Sequence, residues 1–556
     1  MLNKLQKTIL YVNTLKYLKP IQIIDRLRRR IRKIDLQPEQ VWALRKGRNA
    51  WRENRILPSR SEGEFSFIFL NERGVVSDAK SWNDPAKEKL WLYNLHYFED
   101  LVSIDAESKR GWHKKYIDSW ITQNPVMLGN GWEPYPSSLR IVNWIKYFLN
   151  GVEPERHWLE SLYLQAHVLY QNLEYHLLGN HLLANGKALV FAGLYFESAS
   201  ADNWLNKGLE ILIEQLNEQI LDDGAHFELS PMYHCIILFD LLDVLNLFNE
   251  YPLESIKSTN SFCRDKAALM LGWLSQMIHS DGHISFFNDA AFDIAPEPEV
   301  LGAYSQVLGL NASSVAPVVN APDIKCYLMK ESGYLRVESG KFVALLDCAN
   351  IGPDYIPGHG HADTLSFELS INSSRVFVNR GTSCYGFSRQ RLLERSTAAH
   401  NTVEVDGLNS SEIWSGFRVA RRAYPGGVDI KSMDGIVTIG CNHNGYHRLP
   451  QKVLHSREWV FREGGMEILD CCNGDSNCEK KAFFHLHPDV KAEAVETLGQ
   501  VSLAMEDGNS ILLSFEGCER IQLLSSKWHP EFGVSLDTVC IVASFRKEQL
   551  KTHVNW

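Results

Sequence analysis

The spacing of apolar residues along the chain changes once, near residue 310. Over 88–310 apolar positions recur at three-and-four spacing, most clearly in 158–178, 201–221 and 232–248. That is the period of helices that bury one face. Short stretches with Gly, Asn or Asp, at 128–131, 221–224 and 280–282, interrupt it. The pattern predicts an array of amphipathic helices joined by short loops. Residues 311–323 are rich in Ala, Val, Pro, Ser and Asn, carry few charges, and read as a linker. Beyond them come short β-branched runs at 333–338, 341–347, 364–371, 375–378, 402–405, 435–440, 458–461 and 539–545, separated by Gly, Asn or Asp turns. Many short strands without intervening helices predict an antiparallel sandwich. The organisation expected is therefore a lead-in at 1–87, an all-α unit at 88–310, a linker at 311–323 and an all-β unit at 324–556.

Composition narrows the class without changing that picture. The chain has 556 residues, 45% of them hydrophobic and 22% charged, which excludes a disordered or collagen-like chain and leaves material for large cores. No run of about 18 unbroken apolar residues predicts a transmembrane helix. The eleven cysteines include no CxxC pair and read as reduced thiols. The start of the chain lacks the long apolar run and small-residue cleavage site of a signal peptide. A cytoplasmic protein is the expectation. No GxxxxGK[ST] loop is present, and nucleic-acid binding is not expected of an acidic body.

Charge does change the picture. Residues 1–60 hold sixteen lysines and arginines against four acids, a net of +12 in a chain whose total is −10. Such an arm predicts contact with something anionic: a polyanionic glycan, a membrane surface or an acidic partner. The plainer reading is a solvated amphipathic helix flanking the domain. Either way, the arm is expected to be separable from catalysis.

Four segments concentrate chemistry-bearing residues. In Gly179-Asn180-His181, the Asn and His open a predicted helix, and both can donate hydrogen bonds to a carboxylate or a developing oxyanion; the alternative for Asn180 is helix capping. In Glu228-Leu229-Ser230-Pro231-Met232-Tyr233-His234, Ser230 and Pro231 mark a helix start. Tyr233 and His234 then fall in its first turn, where the positive end of the dipole favours ionisation; the alternative is packing. The tract Pro357-Gly358-His359-Gly360-His361-Ala362-Asp363 sets two histidines between glycines ahead of a strand. Glycines admit close approach of a ligand, and His-x-His with a later His is a metal-ligand spacing. The fourth segment carries Asn379-Arg380-Gly381-Thr382, Tyr385 and Glu394-Arg395-Ser396-Thr397-Ala398-Ala399-His400.

These four segments, in this order on an α-then-β chain, resemble the heparinase II/III-like polysaccharide lyase family. The tracts 358–367 and 394–403 are the most specific parts, and residues 1–60 are similar to the basic arm of members associated with bacterial exopolysaccharide clusters. The resemblance implies an incomplete (α/α) toroid followed by an antiparallel β-sandwich, and cleavage of a uronate-containing polysaccharide by β-elimination. It implies that Asn180 and His181 neutralise the uronate carboxylate, and that Tyr233 and His359 share the acid and base roles. Tyr385 lies where some relatives carry a second catalytic tyrosine. His361 and His400 match zinc ligands. The third ligand in relatives is an aspartate; Asn379 stands there, a weak oxygen ligand, so zinc is expected to bind weakly or not at all. Trp132 is a candidate for stacking on a sugar ring, and Arg140, His234 and Arg389 for contacts to the anionic substrate. Two other functions compete: a glycoside hydrolase using carboxylates among Glu133, Asp223 and Glu228, or a non-catalytic protein of glycan binding or assembly.

Overall fold

The computed structural model describes residues 4–321, 323–474, 478–495 and 499–556. Its helical half contains α1 (Lys4–Leu15), α2 (Pro20–Arg29), α3 (Lys89–Tyr97), α4 (Arg110–Gln123), α5 (Pro134–Leu149), α6 (Arg156–Tyr170), α7 (Gly179–Tyr195), α8 (Ala199–Gln219), α9 (Pro231–Glu250), α10 (Lys257–Gln276) and α11 (Pro298–Val307). Helix α7 is the hub. It is buried over almost its whole length and packs on α5, α6, α8 and α9. Its small residues make that possible: a Cβ on Gly193 would lie 2.6 Å from the backbone N of Leu205 in α8. Helix α9 is long and apolar enough to cross a membrane, but it is a core helix with most of its residues buried inside the protein. The result is an incomplete (α/α) toroid.

The second half is antiparallel β-sandwich. Eight strands run in the order Asp429–Met433, Ile436–His443, Leu454–Arg462, Gly465–Asn473, Gln549–Asn555, Ser510–Glu516, Gln500–Ala504 and Lys491–Ala494. Burial alternates strictly along Ile436–His443 and Leu454–Arg462, as it must where one face meets the core and the other meets water. That core face packs on two further sheets. One has six strands, from Ser374–Phe377 and Phe367–Ile371 across to Val319–Asn320, and the other has four, including Val403–Val405 and Lys480–His485. Phe342 stacks on Phe461 at 5.7 Å, and Phe484 meets Phe515 at 5.6 Å. The end of segment 311–323 joins the sheet, since Val319–Asn320 pairs with Lys325 and Cys326; position 322 lies outside the described residues.

The basic N-terminal stretch is not a detached arm, and the expectation of separability is corrected here. Glu250, at the end of α9, accepts the backbone N–H groups of Asn49, Ala50 and Trp51, and Asn54 donates to Asp243 in the helical core at 2.7 Å. Ahead of that, Trp414 Nε1 donates to Thr14 at 3.0 Å, and Arg422 lies 3.6 Å over the Tyr17 ring. The chain reads as an arm because its charges cluster, yet neutral residues such as Asn54 and charged ones such as Arg60, which pairs with Asp293 at 2.6 Å, both anchor it to the body. Removing residues 1–60 is therefore expected to destabilise the fold. Three hydrogen bonds to the Glu250 carboxylate go with them, and hydrogen bonds to a charged group are worth about 1.5–3 kcal/mol each. A thermal melt of the truncated chain reads the effect, and an unchanged transition would contradict it.

Candidate active site

The site forms where the toroid meets the sandwich, and four chain reversals there hold bulky residues at positive φ. Leu178 (φ 65°), Leu229 (58°), Asn288 (56°) and Leu365 (65°) sit in a region that side chains with a Cβ seldom occupy, and such strain gathers where surrounding contacts over-determine it. Leu178 is the N-cap position of α7 and makes no side-chain cap. Asn180 is thus inside the first turn rather than capping it, and it is buried. Beside it, His181 Nδ1 lies 3.3 Å from Glu174 Oε1, and its ring lies 4.4 Å from that of Tyr135. Ser230 caps α9 by accepting the Tyr233 N–H at 3.1 Å and itself donates to the carbonyl of Asp289. One serine thereby ties the tyrosine's helix to the loop that carries Asp289.

The reactive groups converge on Asp289. His359 Nδ1 is 2.8 Å from Asp289 Oδ2, and His361 Nε2 is 2.8 Å from Oδ1. Arg391, fully buried on α12 (Arg389–Glu394), grips both oxygens of the same carboxylate. Burial opposes charge on Asp289, but Arg391 and the two histidines outweigh it and hold its pKa well below the usual 3.8. The Tyr233 and His359 rings lie 3.9 Å apart, and the Tyr233 hydroxyl is 3.0 Å from that of Tyr385. Glu228 Oε2 is 3.7 Å from His359 Nε2, while its Oε1 lies 3.5 Å from where a Cβ on Gly179 would stand. Neither Glu228 oxygen has a hydrogen-bond partner in the free protein, and burial raises its pKa despite the nearby histidines.

Electrostatics revise one expectation. Tyr233 does sit in the first turn of α9, yet burial first and the Tyr385 hydroxyl second push its pKa well above 10.0. Desolvation beats the helix dipole, which is worth at most about 2 kcal/mol, so the phenol keeps its proton. At His181 burial disfavours charge, but Glu174 overcomes it and the pKa is raised above 6.5.

The imidazoles paired by the sequence do meet: His361 Nδ1 and His400 Nε2 are 3.2 Å apart. Two zinc-bound imidazole nitrogens in a tetrahedral site stand roughly 3.4 Å apart, so that spacing suits them. Asn379 does not join the pair. Its backbone N is pinned to Glu368 Oε1 at 2.7 Å, and its side-chain oxygen faces the far nitrogen of His400, Nδ1, at 3.1 Å. The expectation of Asn379 as a third ligand is corrected on that geometry. Among the described residues, the trio of His, Cys or carboxylate donors close enough to hold an ion is Asp118, Glu155 and His157, at the surface. The residues around His361 and His400 do not fit a three-ligand zinc site.

Four other candidates are not brought to the cleft. Trp132 is buried against Trp120, and its Nε1 donates to the Asn124 carbonyl. Arg140 is fully buried, 3.8 Å over the Trp120 ring, with Nε on Gln165 at 2.8 Å. His234 points about 100° away from Tyr233 around α9 and packs 4.5 Å from Trp273 with Nε2 on the Met270 carbonyl; burial lowers its pKa to about 3. Arg389 is exposed at the start of α12, while Arg391, two positions on, turns inward. Two of the three carboxylates of the hydrolase reading are already engaged by other groups. Asp223 holds the Ser332 N–H at 2.7 Å, and Glu133 pairs with Lys89 and the Tyr93 hydroxyl.

The signature described as "Heparinase II/III N-terminus" matches residues 88–293, and "Heparinase II/III-like, C-terminal" matches 325–556. The chain belongs to the heparinase II/III-like family. It is 25% identical over 502 residues, 84% of its length, to a heparin-sulfate lyase of Pedobacter heparinus. It is 28% identical over 355 residues, 55% of its length, to a heparin-sulfate lyase of Bacteroides thetaiotaomicron. The match spans 72% of the first relative and 49% of the second, and 56% of a heparin-sulfate lyase of Bacteroides stercoris, so the chain spans about half the length of two of these three. In fold it is similar to the crystal structure of heparinase III, with a TM-score of 0.66 at 20% identity, covering 88% of this chain and 79% of that one.

For this heparinase II/III-like chain, sequence reasoning missed Asp289 and Arg391. Asp289 lies in a loop without any motif of its own, and its partners come from 70 to 102 residues further on. A usable signal for Arg391 was the helix phase of α12. Capped by Ser388, the helix puts Arg391 and Arg395 on one side and Arg389 on another. Arg395 uses that side to hold the loop that carries His359, donating to the Gly360 carbonyl at 2.7 Å. Gly360 has no room for a side chain, since a Cβ would lie 2.4 Å from the Ile351 carbonyl oxygen.

Proposed function

We propose that this protein is a polysaccharide lyase that cleaves a uronate-containing, glycosaminoglycan-like polysaccharide by β-elimination. The observation that carries the reading is the Tyr233–His359 pair, with Asp289 fixing the imidazole. A carboxylate at Nδ1 takes that N–H and leaves the His359 Nε2 lone pair free, the arrangement of a general base. Tyr233, which keeps its proton, is the matching acid. The C5 proton goes to His359, its electron pair forms the C4–C5 double bond, the C4–O bond breaks, and Tyr233 protonates the leaving oxygen.

The C5 proton is acidic enough only when the adjacent carboxylate is neutralised. His181, kept cationic by Glu174, and the Asn180 amide supply that neutralisation; a positioned donor is worth about 3–4 kcal/mol in the transition state. Glu228, an unpaired carboxyl under the cleft, takes a sugar hydroxyl. A panel of uronate polysaccharides followed in the ultraviolet tests the reading: a lyase leaves an absorbing unsaturated uronate, whereas a hydrolase or a binding protein leaves none.

The His181 assignment carries a pH dependence. Its raised pKa means the imidazolium persists above pH 6.5 and is lost as pH rises further, taking carboxylate neutralisation with it. The same sign holds for stability, with the His181–Glu174 contribution present below 6.5 and lost as pH rises through the folded value. Glu174→Gln should therefore move the alkaline limb of kcat/KM to lower pH. A limb that stays in place would remove His181 from the role.

For zinc, we infer weak binding or none. An amide at 379 can turn its NH2 toward His400 Nδ1, closing a chain from Asn379 through His400 and His361 to Asp289 with one proton per contact. Both imidazoles stay neutral in that chain; burial lowers the His361 pKa to about 4 and that of His400 well below 6.5. A carboxylate at 379 cannot donate, and it makes His400 a better ligand by about 10–100-fold, the size of such outer-shell effects. After chelation, added zinc should raise the melting temperature of Asn379→Asp more than that of the natural protein. Tight stoichiometric zinc in the natural protein would contradict this.

A further inference from the structure

Helix α2 is built inside out. The side that faces the protein is mostly polar: Ile21 packs on the helical core, but Gln22 and Asp25 are buried beside it, Gln22 Nε2 donates to the Leu177 carbonyl, and Arg29 reaches the carbonyls of Asn172 and Leu173. Just past its end, Arg32 donates to the Gln171 carbonyl at 2.9 Å and pairs with Asp25 at 3.3 Å. Its aliphatic side faces out. Ile23 is 49% exposed, Leu27 59% and Ile31 82%, with Ile24 beside them. At four-residue spacing they form one stripe opposite the buried polar residues. Exposed Arg26, Arg28 and Arg30 flank the stripe. Helix α1 repeats the device: Leu5, Ile9 and Val12 are exposed at helical spacing next to Lys4 and Lys7, while Tyr11 and Thr14 face Trp414.

A surface helix normally buries such a stripe, because aliphatic surface left in water forgoes the favourable free energy of burial. Residues 4–33, which hold both helices, carry ten lysines and arginines against the single acid Asp25, and that charge sets the occupant. A second copy of the chain would bring like charges together. A soluble polyanionic glycan would answer the arginines but offer nothing to isoleucine and leucine. A bilayer with anionic headgroups answers both, with basic residues at the phosphates and aliphatic residues among the upper acyl chains. We propose that α1 and α2 form a docking surface for an anionic lipid bilayer. The surface lies outside the catalytic cluster, so the proposal stands independently of the lyase reading.

Co-sedimentation of the full chain with vesicles tests it. The chain should pellet with phosphatidylcholine vesicles that contain phosphatidylglycerol, much less with phosphatidylcholine alone, and less as salt rises. Leu27→Glu/Ile31→Glu should weaken vesicle binding by at least about tenfold with an unchanged thermal melt, since both residues are exposed. Arg26→Gln/Arg30→Gln should remove much of the salt dependence. The proposal is overturned if the anionic vesicles do not bind, or if the glutamate variant binds them as well as the natural chain. It is also overturned if the stripe proves to hold a second copy, seen as a dimer in light scattering that the glutamate variant dissolves.

Discussion

Tyr233→Phe should lower turnover by at least ~10²-fold while leaving folding and substrate binding in place. The substitution removes one oxygen. The ring stays against His359, where the centroids are 3.9 Å apart, and the α9 cap from Ser230 to the Tyr233 N–H is a backbone contact that Phe preserves. What disappears is the proton for the leaving oxygen. Tyr385 is bonded to the Tyr233 hydroxyl at 3.0 Å and is the nearest substitute. Rescue by Tyr385 would appear as a variant retaining more than about a tenth of the activity, and that result would remove Tyr233 from the acid role. Stopped-assay kinetics on one substrate, with KM reported beside kcat, separate lost chemistry from lost binding.

The second large effect concerns stability as well as rate. Asp289→Ala should cost about 3–5 kcal/mol, because it leaves the Arg391 guanidinium buried without its carboxylate. Arg391 is fully buried, and Asp289 holds it with two contacts. Adding Arg391→Met to Asp289→Ala should recover part of the loss, since the uncompensated charge goes with it. Urea unfolding of the single and double variants provides the comparison, and equal destabilisation in both would show that the pair is not the source. Neither variant should turn over substrate at the natural rate, as His359 has lost the group that fixes its tautomer. The pH sign is that of a depressed carboxylate: the contribution is complete above 3.8 and is lost as pH falls through the lower folded value.

The fold was legible because its signals are local. Three-and-four spacing located α8 and α9 to within two residues, and the run at 539–545 lies inside the strand Leu536–Phe545. The densest polar tract, 357–363, proved to carry His359 and His361. Orientation was harder to read. Trp132, Arg140 and His234 have the chemistry of a glycan site but are turned into the core, and the sequence holds no record of which way a side chain faces when a helix is buried all round. Asp289 was invisible for the opposite reason. A single aspartate in a loop acquires meaning only when segments 70 and 102 residues away fold back on it. The N-terminal charge misled in a third way. It described the surface of residues 1–60 correctly while hiding the neutral contacts, such as Asn54 on Asp243, that anchor them.

The central claim is elimination rather than hydrolysis at the Tyr233–His359 pair. It is tested most directly by counting, in one digest of a uronate polysaccharide, the unsaturated uronates by ultraviolet absorbance against the new reducing ends. The account predicts one chromophore per reducing end in the natural protein and neither in Tyr233→Phe. New reducing ends without the chromophore, or a chromophore formed as fast by Tyr233→Phe, would contradict it.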